Sequence, residues 1–348
     1  MCLEKEDDIM KCLVTGATGH IGNVLVKNLY ENHYQVTALV LPKDSVRMIE
    51  PYCDIVEGNV LDRDSMFDLV KGYDVVFHLA GIVEIGSGKK KTLMAVNFMG
   101  TKNVFDACVV NNIGKFVYTS SVHAIEEKPF GETITETKIF DPARVHGLYG
   151  KSKAKASDYV MTHYSGNTKV IVVMPSGVIG PYDYQRSNIS QMFVDILLGH
   201  LTAYVKGGYN FVDVRDVANG IRQAMEKGKD HETYLLTGNE ITVKELLDKT
   251  TNYIGRKPIK TKVAAWFLLA VSYLAEFYYI VLRQKPLFTH YSIVVLRSNY
   301  AFSNEKAKQE LGYTVRGIDE SIKDSIDFVK DNFVEKKGKK FKKKIIAN

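Results

Sequence analysis

Cysteine is scarce: the 348 residues hold four, Cys2, Cys12, Cys53 and Cys108, scattered and without metal-ligand spacing. That argues against a disulfide framework and fits a reducing cytoplasm. The nine histidines show no pairing that suggests zinc, so no metal site is expected. Internal repeats are lacking. The run Glu4-Lys5-Glu6-Asp7-Asp8 is acidic and polar, and does not read as part of a signal peptide. Net positive charge is missing from residues 1–334. The chain carries +6, and the seven lysines and one glutamate from Glu335 onward account for all of it. With no basic stripe in the body of the chain, nucleic acid is not an expected partner.

The length suits one large or two modest domains, with ample apolar residues for a core. Strand-like and helix-like runs alternate from Ile9 to Val178, which predicts an α/β fold, a doubly wound parallel sheet of the Rossmann kind. Buried strands read as continuous apolar runs, at 36–41, 75–79, 116–118 and 170–174. After Pro181 the pattern loosens. The expected organisation is a dinucleotide-binding domain over 9–180, and a smaller C-terminal substrate lobe over 181–330 that returns to the sheet near 211–217. A basic tail over 335–348, expected to be disordered, follows.

Two motifs lie about a third of the chain apart. The first, Val14-Thr15-Gly16-Ala17-Thr18-Gly19-His20-Ile21-Gly22, follows an apolar run and precedes a helical pattern at Ile21, Val24, Leu25 and Leu29. Strand, glycine turn and helix are the context of a dinucleotide fingerprint. Gly16 permits the turn, Gly19 lets backbone approach a pyrophosphate, and Gly22 lets the helix pack closely. The N–H groups of the helix start then face the phosphates. At the end of the second strand an acid would favour NAD. Here Lys43, Asp44 and Arg47 follow Pro42. Lys43 and Arg47 are placed to meet a 2′-phosphate, so NADP is preferred over NAD, with Asp44 still able to serve a ribose.

The second motif is Tyr149-Gly150-Lys151-Ser152-Lys153. A tyrosine has a pKa of about 10, and a neighbouring ammonium lowers it. Tyr149 and Lys153, four apart on a helix, share one face. Tyr149 is expected to move a proton to or from a substrate oxygen, with Lys153 lowering its pKa and holding the nicotinamide ribose. The run Phe116-Val117-Tyr118-Thr119-Ser120-Ser121 reads as a strand ending in hydroxyls, and Ser121 is the expected donor to the substrate carbonyl. His123 and His146 lie close by in sequence and are further candidates for touching substrate.

These residues resemble the extended short-chain dehydrogenase/reductase family, part of the NAD-dependent epimerase/dehydratase superfamily, over nearly the whole chain. Further matching segments are Gly58-Asn59-Val60, Val75 to Gly81, Asn97 to Val104 and Met174 to Pro181. The resemblance implies that Ser121, Tyr149 and Lys153 are the catalytic triad. It places Asn59 and Val60 near the adenine, with Leu79, Ala80, Gly81 and Asn97 along the cofactor. Pro175 and Ser176 would meet the nicotinamide, while Thr18, His20 and Ile21 belong to the phosphate loop. The chain is most similar to dihydroflavonol-4-reductase-like and 3β-hydroxysteroid-dehydrogenase-like members. That implies an oxidoreductase acting on a ketone or secondary alcohol of a bulky apolar molecule, steroid- or flavonoid-like, with a homodimer among the expected assemblies. The rival is a nucleotide-sugar epimerase with tightly bound NAD. Val122 and His123, rather than an acidic pair, follow Ser121, and Gly208, Tyr209 and Asn210 stand where sugar-nucleotide members place an arginine.

The aromatics Tyr182, Tyr184, Tyr204, Tyr209 and Phe211 are candidates for the pocket wall, although core packing explains them equally. The apolar stretch 263–282 has the ~20 residues that span a bilayer, but Glu276 inside it is costly at a membrane centre. Three readings stay open for it: a buried helix, a pocket wall, or a helix lying in the membrane interface. The lysine tail is either solvated or drawn to anionic lipid. The expected location is cytoplasmic, with peripheral contact at the cytoplasmic membrane face through these two segments.

Overall fold

The computed structural model describes residues 9–83, 90–267, 294–337 and 340–343. Its centre is a seven-stranded sheet of β1 (Lys11–Thr15), β2 (Gln35–Val40), β3 (Asp54–Glu57), β4 (Val75–His78), β5 (Lys115–Thr119), β6 (Lys169–Pro175) and β10 (Glu232–Leu236). The strand order is β10-β6-β5-β4-β1-β2-β3, and every pairing is parallel. The order reverses between β1 and β4. That is the switch point at which open α/β sheets bind ligands.

The expected apolar runs form the inner strands because both faces are covered by helices. One layer includes α1 (His20–Glu31), whose Val24, Leu25 and Leu29 are buried. On the other side lie α2 (Arg63–Leu69), α4 (Thr101–Val110) and α5 (Gly147–Thr162). A short α3 (Lys90–Met94) runs into α4 through a π-helical turn, Ala95–Gly100.

A second core sits beyond β6. It holds a three-stranded sheet of β7 (Gly177–Ile179), β9 (Gly208–Asp213) and β11 (Asn239–Thr242), with β9 central. Helices α6 (Asn188–Leu198), α8 (Val243–Tyr253) and the last helix (Ile318–Phe333) close it, Phe193, Leu246, Ile322 and Ile326 joining Phe211 of β9 in the core. Strand β8 (Ala203–Val205) pairs in parallel with β12 (Thr261–Val263).

Between the two cores runs α7 (Val214–Lys227), started by Asp213, whose carboxylate accepts from the Arg215 amide at 2.9 Å. Val214, Val217, Ala218, Ile221, Ala224 and Met225 form its buried stripe at helical spacing. Each fully buried Val or Ile contributes about 1.5–3 kcal/mol. This stripe and β10 bring the chain back to the main sheet. The return expected near 211–217 is therefore made by a helix, while β9 stays in the small sheet.

Two C-terminal expectations change. Val263 closes a strand rather than opening a long helix. Trp266 and Phe267 just beyond it are exposed at 72% and 49%, and the rest of 263–282 lies outside the described residues. No helix among the described residues is long and apolar enough to cross a membrane. The described residues of the basic tail form strands rather than a disordered coil, with β13 (Val334–Lys337) antiparallel to β14 (Lys340–Lys343). The reason lies upstream, since Phe333 and Val334 are buried in the second core and anchor the first strand.

Candidate active site

The glycine loop leaves β1 with Gly16 at φ +70°, and a Cβ there would lie 2.6 Å from the Ala80 amide nitrogen. Gly22 is equally constrained: its Cβ would meet the Gly16 carbonyl oxygen at 2.1 Å. Gly19 differs, because the only atom near its Cβ position is that same oxygen, at 3.2 Å. Gly19 thus leaves open a concavity at the start of α1. That helix has no side-chain cap and no acid in its first turn, so its free N–H groups and positive end suit a pyrophosphate. The residues present fit a dinucleotide.

The loop is tied down from the second core. His20 Nε2 lies 2.9 Å from the Pro181 carbonyl, Asn23 donates to the Gly19 and Tyr182 carbonyls, and Gln185 donates to the Thr18 carbonyl. His20 therefore supports the loop through its ring, and Ile21 packs against the main core. Thr18 Oγ1 donates to Asp44 Oδ2 at 2.9 Å, which engages the one acid near the end of β2. Lys43 and Arg47 are exposed and have no ion-pair partner among the described residues. Asn59 Oδ1 accepts from the Leu61 amide, and the carbonyl of buried Val60 accepts from Asn103. The Leu79 and Ala80 amides bond to Thr15, which fixes the loop after β4 across from the glycine turn.

The π-helical turn places Asn97 at the centre of the site. Its carboxamide exchanges hydrogen bonds with Ile82 N at 2.7 Å and Ile82 O at 3.0 Å, and donates to Ser152 Oγ at 2.9 Å. π-turns of this kind occur often at functional sites. A Cβ on Gly81 would lie 3.3 Å from Asn97 Oδ1 and 3.4 Å from Lys153 Nζ, so Gly81 is what lets these groups converge.

Tyr149 and Lys153 stand one turn apart on α5, and Ser121 follows the end of β5. Ser121 starts a 3₁₀ turn, its Oγ accepting from the His123 amide at 3.3 Å, and its side chain lies near the buried Tyr149 hydroxyl. Gly150 allows this approach, since a Cβ there would meet the His123 carbonyl oxygen at 2.7 Å. Lys153 Nζ donates to the Thr119 carbonyl at 2.8 Å and lies 4.9 Å over the Tyr118 ring.

The electrostatics differ from expectation. Burial pushes the Tyr149 pKa above its ordinary value, and the group that opposes this is Ser121, not Lys153. Burial also lowers Lys153, to about 7. Desolvation penalises both charged forms, and the ammonium spends its hydrogen bond on Thr119.

A pocket opens beside Tyr149, lined in part by His123, Ser176, Tyr209, Asn210, Tyr300 and Phe302. His123 lies edge-on to Tyr149, ring centroids 6.0 Å apart, and its Nε2 is 3.5 Å from the Tyr209 hydroxyl. Pro175 ends β6, and Ser176 Oγ donates to Asn210 Oδ1. His146 also lines the pocket, at its exposed mouth, 3.8 Å from Glu127. Of the candidate wall aromatics, Tyr209 lines this pocket and Phe211 stacks behind it at 5.1 Å. Tyr204 lines a neighbouring groove, while Tyr182 and Tyr184 pack against Phe328. Sequence reasoning gave no role to Ser152, although it stands inside the second motif, nor to Asn210 and Tyr300.

Fold and site together define a Rossmann-fold, nicotinamide-dinucleotide-binding oxidoreductase of the extended short-chain dehydrogenase/reductase kind. The sequence profile of the NAD dependent epimerase/dehydratase family matches residues 12–236, and the chain belongs to that family. It is 26% identical to sterol demethylase protein B of Methylococcus capsulatus, covering 92% of this chain and 99% of that one. It is 28% identical to a putative dihydroflavonol 4-reductase of Synechocystis sp., covering 92% and 94%. Among solved structures, that of gox2253 is 31% identical, covers 93% of this chain and 98% of that one, and superposes with a TM-score of 0.81.

Proposed function

We propose that this protein reduces a ketone, or oxidises the matching secondary alcohol, on a bulky and largely apolar molecule, with NADP preferred over NAD. The observation that carries this is the closeness of the Ser121 and Tyr149 side chains beside a pocket with an apolar wall of Val122, Ile125, Ile134 and Phe302. Ser121 and the Tyr149 hydroxyl hold the substrate oxygen, and Tyr149 supplies or takes its proton. Lys153, fixed by the Thr119 carbonyl, orients the nicotinamide ribose. The bound dinucleotide supplies the hydride chemistry, and the chain supplies position and proton. The names of relatives, a sterol demethylase component and a dihydroflavonol reductase, agree with an apolar ring substrate. Lys43 and Arg47, without an ion-pair partner among the described residues, and Asp44, engaged by Thr18, support the 2′-phosphate form.

One observation favours the epimerase reading. Lys206, Lys262 and Arg297 border a groove that shares Tyr300 with the pocket, and cations there suit a diphosphate. The test is NADPH and NADH oxidation by the purified protein with 3-ketosteroids, flavanonols, small aromatic ketones and UDP-sugars. Ketone-dependent oxidation supports the reductase; interconversion of UDP-sugars without net oxidation would replace it with the epimerase.

A further inference from the structure

Lys153 places its amine where water hardly reaches, since only 4% of the residue is exposed. A buried charge persists only where neighbouring groups favour it. Nζ donates to the Thr119 carbonyl at 2.8 Å. No carboxylate pairs with it among the described residues, and burial pushes its pKa down to about 7. An ammonium has three N–H donors, so one carbonyl is thin compensation.

The second group is the Tyr118 ring. Nζ lies 4.9 Å from its centroid, within the distance at which a ring face attracts a cation. Phe116 and Tyr118, two apart on β5, share a core with Ala154 and Ala156 of α5, which brings the ring to the lysine's helix. Tyr118 is fully buried and stacks on Phe116 at 6.5 Å and on His78 at 5.8 Å, so the ring is held in place. Burial raises its phenol far above the ordinary value, so the ring acts through its face and not as an anion. The other titratable groups near Lys153 supply no negative charge. His78 of β4, fully buried, is held neutral: burial first, and then Lys153, lower it to about 3. Burial raises Tyr149, one turn earlier on α5, and keeps it a phenol.

We propose that the Tyr118 ring takes the place of a counter-ion: it is a positioning residue whose face keeps Lys153 protonated, and so able to hold a ribose, at neutral pH. This rests on the reading of Lys153 as the residue that holds the nicotinamide ribose, and adds the group that keeps it charged. A ring face favours ammonium over amine, so it opposes burial and raises the Lys153 pKa; weakening the face lowers it.

Fluorination tests this, because each fluorine weakens the negative face of the ring with little change in shape. Full-length protein carrying Tyr118→Phe, or phenylalanines with one to three fluorines at that position, is labelled with ¹³C at the lysine Cε and titrated by NMR without cofactor. The Lys153 signal is the one missing from Lys153→Arg, and Tm reports that each variant is folded. Tyr118→Phe should leave the Lys153 pKa within about 0.3 of wild type, and added fluorines should lower it stepwise by about one pH unit in all. The pH above which NADPH binding weakens should move down by the same amount. A pKa that ignores fluorination, or one that has already fallen in Tyr118→Phe, would overturn the role of the ring face and leave the reductase standing. A pKa that follows fluorination while the NADPH profile stays still would support the ring's role and overturn instead the reading of Lys153 as the ribose holder.

Discussion

The Asn97 carboxamide donates to Ser152 Oγ at 2.9 Å and grips both backbone groups of Ile82, so one side chain joins the π-helical turn, the loop after β4 and the start of α5. Ser152 passes the bond on to the Tyr149 carbonyl at 2.7 Å. Helix α5, which carries Tyr149 and Lys153, is thus registered against the loop after β4 by a buried chain of polar contacts. Asn97→Ala breaks it and leaves Ile82 unsatisfied. The expected cost is about 1–3 kcal/mol of stability by denaturant unfolding, with a fall in kcat larger than any change in NADPH affinity. Unchanged kcat in a folded variant would show that the register does not matter.

Gly16 combines φ +70° with backbone contact to Ala80. Gly16→Ala should cost about 1–3 kcal/mol and weaken dinucleotide binding, because the loop must move away from β4 to make room. A thermal melt and a fluorescence titration with NADPH measure the two effects.

Acid should destabilise the fold through two imidazoles, His78 buried and His123 half-buried. His78 bridges the hydroxyls of Thr15 and Thr101, and burial lowers it to about 3, as it lowers His123 to about 4. An unfolded chain takes up these protons near pH 6.5, whereas the native one resists until pH 3–4. The stabilisation is therefore whole above about pH 6.5 and shrinks as pH falls towards the native values. Each residue accounts for ~2 kcal/mol between pH 7.5 and pH 5. Denaturant unfolding at the two pH values should show a smaller difference for His123→Gln than for wild type; the same difference in both would remove His123 from this account.

On the proposed NADP reading, Lys43 and Arg47 would meet the 2′-phosphate. Replacing both by alanine should weaken NADPH by about tenfold or more, from lost charge-assisted hydrogen bonds, and leave NADH within about twofold. Parallel titrations with both cofactors decide it, and an equal loss for each would point to a general loop defect.

Most of the sheet was legible because parallel strands covered on both faces must be continuous apolar runs, and the glycine loop and Tyr149–Lys153 pair were legible because their chemistry fixes their spacing. The shift of Val263 into a strand was not. Its partner is Val205, and pairing across 58 positions leaves no local sign. Asn210 and Tyr300 were illegible for a similar reason, as they reach the pocket by the packing of the second core. The placing of Tyr149 and Lys153 four apart on one helix was readable, but their pKa directions were not, since these follow from burial that spacing does not reveal.

The most direct test is Tyr149→Phe in ketone-dependent NADPH oxidation, alongside Tm and NADPH affinity. With the ring retained and the proton removed, kcat should fall about 10²–10⁴-fold while stability and cofactor binding hold. Full turnover by that variant would contradict the assignment of Tyr149 as the group that moves the proton.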